Sequence, residues 1–182
     1  MNEIKRFGAA ASVYPEIAIG LVKYGKSERI WFGQTAHYLG NPPPGCLFAI
    51  GVSLPCPGLF GPQVGGKLLG LCLVGRPVAR RLPQDGTCGE IIRMWLAPGL
   101  PFGTASAVLR YAAAIALKRG MKSLIAYHDR TRHTGCIYRK AGFKKDGTTA
   151  PPAGGWGSRG GRISADYETT PKRRWRLVLV QP

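Results

Sequence analysis

The chain has 182 residues, 45% of them hydrophobic, and carries 26 lysines and arginines against 9 aspartates and glutamates. This length suits one domain with a real core, and the net charge of +17 concerns partners more than fold. The 5 cysteines form no C-x-x-C pair, which favours reduced core residues over a disulfide framework. No apolar run approaches the roughly 20 residues that span a bilayer, and no secretion signal is evident. We expect a cytoplasmic protein without a membrane partner.

The first part of the chain, residues 1–46, is predicted to be helical. Apolar side chains at Val13, Ile17, Leu21 and Tyr24 recur at helical spacing, and Ser12 precedes them as a capping hydroxyl. A second short helix is predicted over 31–38. The run of three prolines within 41–45 then excludes regular structure.

The middle of the chain, residues 47–146, alternates predicted strands and helices. Strands are predicted at 47–53, 67–74, 90–97 and 124–127, and helices at 104–119 and from about residue 131 to Gly142, with a loop at 55–66. A glycine-rich loop over 147–170 leads to a closing strand within 171–182, centred on 174–180. This order predicts a single α/β domain, 1–182, with a mixed sheet and helices on both faces.

The elements from residue 88 to residue 143 resemble the GNAT acyltransferase superfamily. They run strand, glycine-bearing turn, long helix, strand and a short helix that ends in Tyr138-Arg139-Lys140-Ala141-Gly142-Phe143. The resemblance implies a mostly antiparallel sheet in which one parallel strand pair splays apart around the pantetheine of acetyl-CoA or a related acyl-CoA. It makes residues 47–146 the cofactor-binding core. The implied cofactor contacts are Met94, Trp95, Leu96, Gly103, Thr104, Ala105 and Ser106, at a helix N-terminus that favours phosphate.

Two further residues take roles from this resemblance. Tyr138 stands where many GNAT enzymes carry the tyrosine that protonates the departing thiolate, and a phenol with a pKa of about 10 suits this transfer. Glu90 stands where a base often occurs, and we rank it below His37. The turn departs from the family pattern, because members usually carry a basic residue and two further glycines where this chain has Gly103 alone.

A narrower resemblance extends over residues 35–147. The ordered set His37-Tyr38, Gly75-Arg76-Pro77, Arg93-Met94-Trp95, Tyr127-His128-Asp129 and His133 to Arg139 is similar to the Mom adenine-modification proteins of Mu-like phages. This resemblance implies carbamoylmethylation of adenine N6 in DNA, which protects phage DNA from restriction, and a location in the host cytoplasm. It implies that His37, Tyr38 and Asp129 are the functional positions.

The side chains of His37 and Asp129 can also be interpreted without the resemblance. A neutral His37 imidazole is suited to act as a base near pH 7, or is a structural turn residue. Asp129 follows a predicted central strand, where it orients an amine or caps the next helix. The spacing of His37, His128, His133 and Asp129 is not diagnostic of iron or zinc, and we predict no metal.

Basic residues are concentrated in two stretches of the chain, which form a first group at 130–145 and a second group at 156–176. Lysine and arginine neutralise phosphates without reading sequence, so we predict DNA as a partner. Aromatic residues within the second group, Trp156, Tyr167 and Trp175, are suited to stack an extruded base. The predicted nucleic-acid contacts are Arg130, Arg132, Lys140, Arg159, Arg162, Lys172, Arg173 and Arg174.

Three functions therefore remain open. The first is a Mom-like enzyme that modifies DNA adenine. The second is an acyl-CoA-dependent N-acetyltransferase that acts on a small molecule, a peptide or an aminated base. The third is a nucleic-acid-binding protein without catalysis, favoured by the sparse turn at Gly103. The sequence leaves the donor, the target base, the strandedness of DNA and the oligomeric state undetermined.

Overall fold

A computed structural model describes residues 3–6, 13–14, 16–35, 37, 41–56, 63–149 and 171–180. The elements are β1 Glu3–Arg6, β2 Glu16–Val22, α1 Lys26–Gly33, β3 Phe48–Cys56, β4 Gln63–Gly75, β5 Cys88–Leu96, α2 Thr104–Lys118, β6 Ser123–Asp129, α3 Cys136–Lys140, β7 Lys144–Thr149 and β8 Lys172–Val178. The strands form one sheet in the order β1-β2-β3-β4-β5-β6-β8-β7. Only β5 and β6 pair in parallel among these strands. The predicted mixed, mostly antiparallel sheet is confirmed.

The sheet has two differently covered faces, because side chains alternate along each strand. On one, which we call the α2 face, Cys72 and Val74 of β4 join an apolar cluster with Val108 and Ala112 of α2. On the other, the α1 face, the alternate residues Leu71 and Leu73 are fully buried. The α1 helix lies on this second face, where Trp31 contacts Trp95. Helices therefore cover both faces, as predicted.

The parallel pair separates part-way along its length. The ladder between β5 and β6 ends at Ile91↔Ala126, although β5 runs on to Leu96 and β6 to Asp129. Opposite β4, the register shifts at the same level, so that Ile92 is an extra residue in β5. A bulge of this kind bends its strand and ends pairing. The result is a gap between the ends of two central strands.

The predicted helix over 13–24 is wrong, because residues Glu16–Val22 form strand β2. This strand pairs with β1 on one side and β3 on the other. Ile17, Ala18 and Ile19 are all fully buried, so no alternation of polar and apolar residues marks the strand in the sequence. The spacing of apolar residues imitated a helix, and pairing in the sheet decided the structure. The predicted cap at Ser12 lies outside the described residues.

Other predicted ends of helices and strands also differ from those in the structure. Helix α1 ends at Gly33 rather than near residue 38, and it begins at Lys26, where the Glu28 carboxylate accepts a hydrogen bond from the Gly25 N–H at 2.7 Å. The helix predicted from residue 131 begins only at Cys136. Strand β7 was not predicted, and it takes residues 147–149 from the predicted loop. Strands β3 and β4 extend into the predicted loop 55–66.

Candidate active site

A cavity of about 280 Å³ lies on the α2 face, beside the gap between β5 and β6. Leu96 and Ala97 line it from the end of β5, Thr104 to Ser106 from the start of α2, and Cys136, Ile137 and Lys140 from α3. The cavity therefore brings together the strand end, the glycine-bearing turn and the short helix. Leu96, Gly103, Thr104, Ala105 and Ser106, five of the predicted cofactor contacts, line it.

The turn at the start of α2 presents backbone N–H groups to this cavity. Gly103 has a φ of 90°, a left-handed conformation that glycine adopts without strain. The Thr104 hydroxyl donates to the Pro101 carbonyl at 2.7 Å, and the Ser106 hydroxyl donates to the Gly103 carbonyl at 2.9 Å. The Thr104 N–H donates to the same Pro101 carbonyl, at 3.1 Å, so the N–H groups of Ala105 and Ser106 are the ones that the helix start offers to a ligand. Those groups and the helix dipole favour an anion here.

Lys140 supplies a cation to the same cavity. Its ammonium lies 4.3 Å from the centre of the Phe102 ring, and both residues line the cavity. We predicted Lys140 as a nucleic-acid contact, whereas the structure places it beside the predicted cofactor turn. It provides the basic group that the turn itself lacks.

Three buried rings, His128, Tyr138 and Trp175, form a cluster on the α2 face at the end of β6. The Tyr138 ring stacks on His128 at 5.8 Å and on Trp175 at 5.7 Å. The Trp175 indole donates to His128 Nδ1 at 2.6 Å, so in this cluster Nδ1 is the unprotonated nitrogen of the imidazole. Burial, followed by nearby Arg173 and His133, lowers the pKa of His128, against the opposing charge of Asp129. A neutral imidazole thus holds the ring of Tyr138.

Gly135 makes this packing possible. Its φ is 75°, and a Cβ there would lie 2.6 Å from Trp175 Cζ2 and 2.8 Å from His128 Cε1. Any side chain would therefore displace the rings. The sequence did not mark Gly135 as part of the site, and it suggested Trp175 as a ring that stacks an extruded base. That suggestion for Trp175 is wrong, because its ring is buried against His128 and Tyr138.

The α1 face carries a different set of groups at the same level of the sheet. Glu90 is buried, aligns with Ile125 one pair before the ladder ends, and accepts a hydrogen bond from the Val78 N–H at 2.8 Å. Burial raises the pKa of Glu90, while the Val78 hydrogen bond and the charges of Arg93 and Lys172 oppose the rise. A carboxylate with a raised pKa is a stronger proton acceptor than an ordinary glutamate.

His37 is half-buried on the chain beyond α1, and its ring lies 5.3 Å from that of Phe32. Burial, with Arg93 and His133 nearby, lowers the pKa of His37 to about 4. The imidazole is neutral at pH 7, but so low a pKa makes it a weak base. Its predicted partner Tyr38 lies outside the described residues.

Asp129 is fully buried, and its carboxylate is hydrogen-bonded within the turn that follows β6. Its Oδ1 accepts hydrogen bonds from the Thr131 N–H at 2.8 Å and the Thr131 hydroxyl at 2.7 Å. Its Oδ2 lies 3.8 Å from Arg132 Nε. These contacts favour the capping alternative for Asp129, although it caps a turn and the helix begins later. Arg132, a predicted nucleic-acid contact, is held in this turn.

The other predicted nucleic-acid contacts differ in their ion pairing and in their exposure. Arg174 bonds to Asp146 at 2.9 Å, so its charge is partly neutralised. Lys172 and Arg173 lie on β8, opposite Asp129 and His128, and Arg130 is exposed after β6. Arg159 and Arg162, with Trp156 and Tyr167, lie outside the described residues.

Met94 and Trp95 do not line the cavity that the other predicted cofactor residues line. Met94 packs against the apolar core on the α2 face, and Trp95 pairs in register with Leu71, which puts its side chain on the α1 face. Within the described ranges, no group of three or more His, Cys, Asp or Glu side chains is placed to hold a metal. No described helix has the length and apolar character to cross a membrane.

Solved structures of acetyltransferases share this architecture. An acetyltransferase of Bacillus subtilis in complex with CoA matches with a TM-score of 0.57 and 13% identity, over 89% of this chain and 98% of that one. The IAA acetyltransferase of Bacillus cereus matches with a TM-score of 0.55 and 14% identity, over 90% and 99%. The chain has the fold of the GNAT acetyltransferases.

Other comparisons are more limited. A protein of Acinetobacter baylyi ADP1 matches with a TM-score of 0.50 and 18% identity, and the matched region covers 74% of this chain but only 64% of that one. No protein-family model matches the chain, and no curated protein sequence matches it. Neither Mom nor any phage protein is among the structures named in these matches.

Proposed function

We propose that the chain is a GNAT-fold N-acyltransferase that moves an acyl group from acyl-CoA to an amine. The observation that carries the proposal is the gap between β5 and β6, with groups suited to opposite proton transfers on its two sides. A buried phenol, Tyr138, lies on the α2 face in helix α3, whose Ile137 and Lys140 line the cavity with the anion-favouring turn. A buried carboxylate, Glu90, lies on the α1 face. Acyl transfer to an amine needs one group that accepts a proton from the amine and one that donates a proton to the departing thiolate.

The residues present fit the acyl donor, which is a substrate of the reaction. The N–H groups of Ala105 and Ser106 and the Lys140 ammonium suit the pyrophosphate, and the Leu96 end of β5 would face the pantetheine. The amine nitrogen attacks the thioester carbonyl, so a C–N bond forms and the C–S bond breaks. Glu90 takes the proton that the amine loses, and Tyr138 gives its proton to the departing thiolate.

Glu90 is a better proton acceptor in this proposal than His37, which reverses the ranking made from sequence. The pKa of His37, about 4, makes it weaker than the buried glutamate with its raised pKa. His37 then has a positioning role near Arg93, and Asp129 supports the turn after β6.

Binding of coenzyme A tests the cofactor part of the proposal. A ligand that binds only the folded protein raises its melting temperature. Lys140→Ala should weaken coenzyme A binding about 5- to 20-fold, as expected for loss of one charge-assisted contact. The matched control is Arg139→Ala, one residue away, exposed and absent from the cavity lining. Equal effects of the two variants, or no binding by the unaltered protein, would contradict the assignment.

Turnover tests the chemistry. Release of free thiol from acetyl-CoA in the presence of a panel of amines should fall about 10²- to 10⁴-fold in Tyr138→Phe, with coenzyme A affinity unchanged. Phenylalanine keeps the stacked ring and removes only the hydroxyl. A Tyr138→Phe variant with normal turnover would show that the thiolate obtains its proton elsewhere.

A second candidate is modification of adenine in DNA, as the Mom resemblance implied. The observation that favours it is the cationic character of the chain, +17 in total, with Lys172 and Arg173 on β8 near the end of β6. Mass spectrometry of nucleosides from cells that express the protein separates the candidates. A heavier adenine nucleoside, absent with Glu90→Gln and with His37→Ala, would select DNA modification, and the mass would identify the group.

A further inference from the structure

A second cavity, of about 350 Å³, lies on the opposite side of the end of β5 from the first. Trp31 of α1 and Trp95 of β5 line it, together with Tyr14, Gln34, Thr35 and Lys67. Ala97 lines both cavities, so both lie beside the end of the strand that borders the gap. A group bound in the second cavity would therefore approach the gap from the α1 face, opposite the acyl donor.

The walls of this cavity are suited to a planar ring. The Trp31 and Trp95 rings lie 5.5 Å apart at 77°, which makes a corner with one ring as a floor and the other as a side wall. Both side chains are half-buried, so part of each ring stays accessible. Indole faces bind flat conjugated rings by stacking, and this contact tolerates different ring identities.

The charge around the cavity disfavours an organic cation, which is a common ligand of paired aromatic rings. Paired indoles also bind organic cations, but the Lys67 ammonium on this rim has no carboxylate partner among the described residues, and the chain carries +17. Both features repel a cation and attract an anion. The Gln34 side chain, which makes no hydrogen bond within the described part of the chain, offers a donor and an acceptor to a ring edge.

We propose that this cavity binds the acceptor of the transferase as a nucleobase joined to a phosphate, stacked in the Trp31–Trp95 corner with its phosphate toward Lys67. The size agrees, since small-molecule sites begin at about 300 Å³. The inference rests on the proposed function, because it makes the exocyclic amine of the base the nitrogen that is acylated. The base comes either from a free nucleotide or from a single-stranded segment of DNA.

Binding measurements distinguish these sources. Titration calorimetry with dAMP, dCMP, dTMP and a single-stranded oligodeoxynucleotide should give binding that falls about 5- to 150-fold in Trp31→Ala and Trp95→Ala. Trp31→Phe and Trp95→Phe should recover much of the affinity, because a flat ring remains. Tight binding of the mononucleotides assigns a free nucleotide, and binding of the oligonucleotide alone assigns DNA. The matched control is Ile30→Ala, an exposed neighbour on α1 that is absent from the cavity lining.

Transfer measurements complete the test. dAMP and dCMP carry an exocyclic amine and should be acylated, whereas dTMP should bind without turnover. Coenzyme A binding, measured beside each titration, should be unchanged in the tryptophan variants. Coenzyme A binding without any nucleotide binding, or nucleotide binding equal in all variants, would overturn the inference and leave the proposed function standing. Nucleotide binding without coenzyme A binding would overturn the acceptor role together with the proposed function.

Discussion

The two faces of the sheet differ most where β5 and β6 separate. On the α2 face, the buried rings of His128 and Trp175 pack against Tyr138, and a hydrogen bond joins Trp175 to His128. On the α1 face, the charge of Arg93 acts on both the buried Glu90 and the half-buried His37. The first environment holds the ring of a phenol in place by packing, and the second raises the pKa of a carboxylate. One interrupted ladder thus separates two environments, which the proposed reaction uses for opposite proton transfers.

Burial also changes the pKa values of two groups on the α1 face in opposite directions. Burial raises the pKa of Glu90 and lowers that of His37 to about 4, because each change favours the neutral form. The carboxylate becomes a stronger base and the imidazole a weaker one. In the proposed reaction the proton acceptor on the α1 face is therefore Glu90, contrary to the ranking made from sequence.

Loss of the carboxylate should produce the largest effect. We expect Glu90→Gln to lower kcat about 10²- to 10⁴-fold, while the amide still accepts the Val78 hydrogen bond. Because the pKa of Glu90 is raised, the folded state binds more protons than the unfolded state above pH 4.5, and stability falls as the pH rises through the raised pKa. Glu90→Gln should therefore increase the melting temperature at pH 7. A variant that is both less active and less stable would contradict this assignment.

The packing of the ring cluster can be broken at Gly135. We expect Gly135→Ala to cost about 2–5 kcal/mol, because the new Cβ adds a collision with Trp175 to the strain of a left-handed alanine. Gly120→Ala is the matched control, since Gly120 has a φ of 78° and nothing within 4 Å of the point that a Cβ would occupy; it should cost about 1–2 kcal/mol. Urea denaturation measures both. Equal losses would show that the rings yield without cost.

The hydrogen bond within the cluster is tested by comparing a tryptophan on each face. Trp175→Phe leaves His128 Nδ1 buried without its donor and should cost about 1–3 kcal/mol. Trp95→Phe removes the same atoms from a half-buried ring that makes no hydrogen bond among the described residues, and should cost about 1 kcal/mol or less. A larger loss for Trp95→Phe would reverse the contrast between the faces.

The smallest effect concerns pH. The pKa of His37 falls from 6.5 to about 4 on folding, so the unfolded state binds more protons between these values. Stability should therefore be retained above about pH 6.5 and lost progressively as the pH falls toward 4. His37→Phe, which can still pack on Phe32, should flatten this part of the stability curve. An unchanged slope in denaturation measured from pH 4 to pH 7 would show that other groups cause the dependence.

Much of the fold could be predicted because its local signals agree with its tertiary structure. The run from Thr104 to Lys118 has an apolar stripe, a basic end and a following glycine, and it forms α2 as expected. Strands β3 to β6 are apolar runs between breakers, and they lie in the centre of the sheet. The N-terminal region could not be predicted, since Ile17, Ala18 and Ile19 are all buried and only pairing with β3 makes them a strand.

The sequence by itself determined the order of elements from β3 to α3, the glycine-bearing turn before α2 and the identity of Tyr138 and Glu90 as groups able to transfer protons. The tertiary structure alone decided which groups meet. It brought Trp175 to His128 across 47 positions of the chain, and Lys140 to the turn at Phe102. It placed Trp31 against Trp95 and occupied Asp129 with a turn. Such contacts depend on strand register and on the bulge at Ile92, and no local pattern in the sequence encodes either.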